Sequence, residues 1–143
     1  MTVMRSYTPI VENNIRELTV KEAFERIKIH FQDPPVADSS YEETGIALSA
    51  DLAQVISSRK GQKELVAAGK IQLSKEGLVI HGQDNTLWDA PWSSLKGISV
   101  ELGNRLLFRR DGVSFELKLE HDSPLKWDHF MRRWRNFVTG SEH

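Results

Sequence analysis

The sequence predicts an α+β fold: an antiparallel sheet or partly open barrel of about six or seven short strands, capped by a C-terminal amphipathic helix and preceded by two N-terminal helices. Three observations predict it. Beyond Lys63, apolar residues recur at every second position in short runs separated by glycine-bearing turns. The C-terminal segment carries aromatic residues at helical spacing behind a Ser-Pro start. The first 60 residues show helical spacing interrupted by a proline pair.

The first helix starts after Thr19, where Thr19-Val20-Lys21-Glu22 has the pattern of a capping box. Val20, Phe24, Ile27 and Phe31 follow on one face, a candidate surface for a partner or for the rest of the chain. Asp33-Pro34-Pro35 stops that helix, because proline lacks a backbone donor and restricts the residue before it. Residues 36–45 are polar and acidic and read as a flexible linker. Ser49 reads as the cap of a second helix with Leu52, Val55 and Ile56 on one side, ended by Arg59-Lys60-Gly61. The division is therefore an N-terminal extension over 1–60 and a strand domain over 62–139.

Within that domain Ile71 and Leu73 alternate with Gln72 and Ser74, and Lys75-Glu76-Gly77 turns the chain into Leu78-Val79-Ile80. A short strand runs from Leu87 to Trp92, with Trp88 and Trp92 on one face and Pro91 marking a bend. Ile98, Val100 and Leu102 form the next strand. Gly103-Asn104 suits a type II′ turn into Leu106 and Phe108, and Asp111-Gly112 a type I′ turn into Val113, Phe115, Leu117 and Leu119. The closing helix begins at the Ser123 cap, with Pro124 at its first position. Trp127, Phe130, Met131, Trp134, Phe137 and Val138 fall within an arc of about 120° and require a buried partner surface. Thr139-Gly140 ends it.

Composition narrows the function. The chain has 143 residues, 19 basic and 20 acidic, for a net charge of -1. A general nucleic-acid binder needs a cationic excess, so nucleic acid is not an expected partner. The absence of cysteine removes disulfides, thiolate metal sites and cysteine nucleophiles. No apolar leader or membrane-length run is present, and a cytoplasmic location is the expectation. No glycine-rich phosphate loop and no Gly-x-Ser-x-Gly elbow occurs, and the five histidines lack metal-ligand spacing, so no cofactor or metal is expected.

The segments Gly69–Ser74, Glu76–Ile80, Ala90–Ile98, Arg105–Phe108 and Val113–Leu117, with the helix carrying Trp127, together resemble the pleckstrin-homology-like superfold, in particular its GRAM and bacterial PH-like branches. The resemblance spans about residues 62–139 and implies seven strands and a capping helix. About six strands are legible, which places the seventh in 61–68 or nearer the N-terminus. Phosphoinositide-binding members of that superfold carry spaced cations in the first hairpin, where this chain offers only Lys70 and Lys75, with Glu76 at the turn.

The candidate anion- or partner-binding residues are Arg109, Arg110, Arg132, Arg133 and Arg135. Arg133 and Arg135 flank the apolar arc of the last helix, and Asp128 lies near Arg132 and Arg135 on the helical wheel. The expected function is a non-catalytic binding module that engages a protein partner or an anionic membrane surface. The alternatives are a regulatory or accessory subunit, assembling with an enzyme or as a homodimer through the N-terminal helices, and a small enzyme with an unrecognised site.

Overall fold

The computed structural model describes residues 33–140. The predicted helix with Val20, Phe24, Ile27 and Phe31 lies outside the described residues. A one-turn helix α1 (Tyr41–Thr44) precedes seven strands: β1 (Ile46–Arg59), β2 (Gln62–Ser74), β3 (Gly77–His81), β4 (Thr86–Pro91), β5 (Lys96–Glu101), β6 (Arg105–Arg110) and β7 (Val113–Leu119). A 3-10 turn (Trp92–Ser94) links β4 to β5, and α2 (Pro124–Thr139) closes the chain.

All seven strands form one antiparallel sheet in the order β4-β3-β2-β1-β7-β6-β5. Trp88 on β4 lies 6.1 Å from Phe108 on β6 and 6.4 Å from Phe115 on β7, ring centre to ring centre. Those strands are far apart in the sheet order, so these contacts require the sheet to curl back over itself. β4 and β5 are not paired, which leaves the barrel partly open along that seam.

The central strand β1 corrects the expectation of a second helix over residues 49–60. Its Ala53, Val55 and Ser57 point inward at every second position. Leu52, Val55 and Ile56 do have helical spacing, but they sit in a strand paired on both sides, with β2 and with β7. Lys60 and Gly61 both adopt positive φ, at 51° and 80°, and join β1 to β2 as a two-residue turn of type I′ character. The same Lys-Gly pair that suggested a helix C-cap is a hairpin turn, because both devices use glycine in the left-handed region. The strand unit therefore starts at Ile46, and β1 is a strand beyond the six legible in the sequence.

Residues 36–45 are also not a free linker. The Ala37 and Asp38 amides donate to the Ala47 carbonyl at 2.8 and 3.1 Å. Pro35 is buried and its carbonyl accepts the Trp134 indole N–H at 2.7 Å, while Tyr41 packs against the Trp134 ring. At β5–β6 the expected type II′ turn is a three-residue loop, Leu102-Gly103-Asn104, with positive φ at Gly103 and Asn104. Asp111-Gly112 forms the expected two-residue turn with both φ positive.

α2 starts and stops where the residues indicate. The Ser123 hydroxyl accepts from the Lys126 amide, and Gly140 closes the helix in the left-handed region. Trp127, Phe130, Met131 and Trp134 are buried against β5, β6 and the 3-10 turn. Phe137 and Val138, expected in the same buried stripe, are 58% and 42% exposed. The apolar arc continues past the end of the surface available to cover it.

Candidate functional site

α2 lies beside the start of β5 and the end of β6, and between them is a cleft of about 600 Å³. Its lining includes Lys96 and Gly97 from β5, Arg109 from β6, and His129, Arg132, Arg133, Arg135 and Asn136 from α2. Four of the five arginines proposed from the sequence meet here. Arg110 does not. Strand parity sends it to the opposite face, where its guanidinium donates to the Asp89 carbonyl and stacks over Trp88 at 5.7 Å. Trp88 and Trp92 are packing residues: Trp92 is buried and its indole donates to the Ser74 carbonyl at 2.8 Å.

Lys96 was not singled out in the sequence, and His129 only as one of five histidines without metal-ligand spacing. Lys96 is the direct cross-strand partner of Arg109, a relation that exists only once the β5–β6 register is known. The register then shifts between Lys96 and Ser99, so that Gly97 and Ile98 together oppose Phe108. Gly97 has φ +61, which makes this a bulge with glycine in the left-handed region. A Cβ at Gly97 would lie 3.1 Å from Arg109 Nη2 and 3.2 Å from its Nε. Glycine therefore serves two needs at once: the backbone bend and the room for the guanidinium beside it.

The cations differ in how they are held. Arg132 donates to Asp128 Oδ2 at 2.7 Å, and Arg133 pairs with Asp33 at 3.2 Å. Arg135 directs Nε to the Leu95 carbonyl at 2.7 Å, which fixes the side chain but leaves its charge uncompensated. Among the described residues, neither Lys96 nor Arg109 makes an ion pair. Among the described residues, five cations and two carboxylates leave three positive charges without a counter-charge in the cleft.

The perturbed carboxyls lie elsewhere and serve local structure. Burial pushes the Asp122 carboxyl up, but hydrogen bonds from Lys126, the Trp127 indole and the Ser123 amide outweigh it and hold the group below the usual carboxylate range. Hydrogen bonds from the Ser40 hydroxyl and amide lower Asp38. Among the described residues no group of three or more His, Asp or Glu side chains is placed to hold a metal ion, and no helix is long and apolar enough to cross a membrane.

A second groove, of about 510 Å³, is lined by Leu52, Leu119, Pro124, Gly103 and Arg105, among others. Leu102, next to Gly103 at the β5–β6 loop, is 95% exposed, and Leu125, next to Pro124, is also exposed. No protein-family model matches this chain, and no curated protein matches it in sequence.

Proposed function

We propose that this chain is a non-catalytic, PH-like binding module that docks on an anionic membrane surface through the cleft between β5–β6 and α2. The observation that carries this reading is the convergence of Lys96, Arg109, Arg132, Arg133 and Arg135 on one cleft where, among the described residues, two carboxylates pair with them. Residues directly opposite on neighbouring strands repel when they carry like charges, so the Lys96–Arg109 pair costs stability in the free protein and favours an anion between them. Cations near an anionic leaflet each contribute about 1 kcal/mol, an attraction that falls off within a Debye length. Phe137 follows Arg133 by one helical turn and, with Val138, leaves an exposed apolar end on α2 suited to the headgroup–acyl boundary. The PH-like reading is supported by seven antiparallel strands closed by one helix, the count that the resemblance requires.

Sedimentation with vesicles containing phosphatidylserine tests it. The expected result is binding that weakens as salt rises and is lost when Arg132, Arg133 and Arg135 are all changed to Glu, with the far-UV spectrum retained. Binding indifferent to both salt and charge reversal overturns the reading.

The groove beside Leu52 favours a second reading, a protein partner. Exposed leucines clustered around a concavity are a feature of protein interfaces. Leu102→Asp separates the two: it abolishes a protein contact at that groove and leaves vesicle binding through the cleft unchanged.

A further inference from the structure

We infer that the group taken by the cleft is a phosphomonoester, held between Lys96 and Arg109; this rests on the proposal that the cleft docks an anionic surface. The charges in the cleft are of two kinds. Arg132 and Arg133 already face carboxylates, so they extend the positive field and offer little further charge to a ligand. Lys96, Arg109 and Arg135 remain, with no ion pair among the described residues, and the first two are placed directly opposite each other by the strand register. A carboxylate or a phosphodiester brings one negative charge and leaves two cations uncompensated. A phosphomonoester brings a charge of about −1.5 to −2 at neutral pH and three acceptor oxygens, enough to meet two facing cations together.

The backbone supports that assignment. Bulges re-aim side chains at functional sites, and this one stands at Gly97, between Lys96 and the strand that follows. Its glycine lets the Arg109 guanidinium lie where a Cβ at residue 97 would crowd it, at 3.1 Å from Nη2 and 3.2 Å from Nε. Nothing in the packing requires the arrangement, since both cations are exposed and an uncharged residue at either position would remove the repulsion. The cleft volume of about 600 Å³ leaves space for the organic group that the phosphate esterifies.

A phosphomonoester has two sources, a lipid headgroup and a small soluble ester, and the test separates them. Full-length protein is titrated with glycerol 3-phosphate, and with phosphatidylcholine vesicles carrying either phosphatidic acid or phosphatidylserine at matched surface charge. The expected result is a preference for phosphatidic acid over phosphatidylserine of about tenfold or more, the scale of a charge-assisted hydrogen-bond pair. R109Q and K96Q erase this preference without lowering the thermal midpoint, because each relieves like-charge repulsion. G97A, which crowds Arg109, reduces it as well.

Binding of glycerol 3-phosphate without vesicle binding supports the phosphomonoester and overturns the membrane reading. Vesicle binding to phosphatidic acid alone supports the lipid source. Equal affinity for both anionic vesicles, still salt-sensitive, overturns the phosphomonoester and leaves the membrane reading standing. No binding to any of the three overturns both.

Discussion

Replacement of Trp134 by alanine probes the joint on which this fold closes. Trp134 is 1% exposed and lies on the buried face of α2. Its indole donates to the Pro35 carbonyl at 2.7 Å, and its ring lies 6.0 Å from Tyr41 and 5.9 Å from Phe137. Truncation of a buried tryptophan to alanine costs about 3–5 kcal/mol through lost transfer free energy and the cavity left behind. Trp134→Phe isolates the polar part: it keeps an aromatic ring but leaves the buried Pro35 carbonyl without its donor, for a cost of about 1–3 kcal/mol. Both changes are read by urea unfolding, with an unchanged slope to show that the unfolded state is the same. Amide exchange supplies a second readout. The Ala37 and Asp38 amides, bonded to the Ala47 carbonyl, should lose protection in Trp134→Phe before the strands do, because segment 35–45 then loses its hydrogen bond to α2. A loss under about 1 kcal/mol for Trp134→Ala, or unchanged exchange at Ala37 and Asp38, would refute the account of this joint.

Other substitutions test separate parts. Lys60→Asn should stabilise by about 0.5 kcal/mol, since asparagine tolerates the left-handed conformation and Asn-Gly is a favoured type I′ pair; in a helix end the same change would destabilise, and denaturant midpoints decide the sign. Asp122→Asn should cost about 1–3 kcal/mol at neutral pH by weakening the bonds to the Trp127 indole and Lys126. Its carboxyl is held low in the folded state, so its stabilisation is full above the unfolded value near pH 4 and lost as pH falls through the lower folded value. The wild-type and Asp122→Asn proteins should therefore converge in acid, and a gap independent of pH would sink this assignment. Trp92→Phe should cost about 1–3 kcal/mol by orphaning the Ser74 carbonyl, measured the same way.

Local chemistry was legible where one interaction dominates. Ser123-Pro124 and Gly140 bound α2 because capping and proline geometry act over three or four residues. Asp111-Gly112 marked its turn for the same reason. Leu52, Val55 and Ile56 misled because their spacing satisfies a helix stripe and also one face and a half of a strand. What decides between them is pairing with β7, a segment 58 residues on in the register Ser57↔Phe115. Phe137 and Val138 were expected on the buried arc and are exposed, because periodicity gives direction and not the extent of the surface that covers it.

The basic cluster shows the same division more sharply, since adjacent arginines came to opposite ends. Arg109 and Arg110 are neighbours in sequence, and a pleated strand sends neighbours to opposite faces. One joins the cleft with Lys96 and α2; the other covers Trp88. Which goes where is fixed by register, and the register is fixed by burial of Leu106 and Phe108 on the inner face. The near-neutral total charge concealed the result. Residues 1–45 hold five bases and eight acids, while 104–143 hold eight bases and six acids. The fold brings Lys96 to the C-terminal arginines in one cleft, where Asp33 and Asp128 neutralise two of them. Conserving the net charge while moving Lys96 one position along β5 would leave every compositional figure unchanged and remove the facing pair. The phosphomonoester proposal therefore rests on register and bulge, and R109Q and K96Q address it at the facing pair itself.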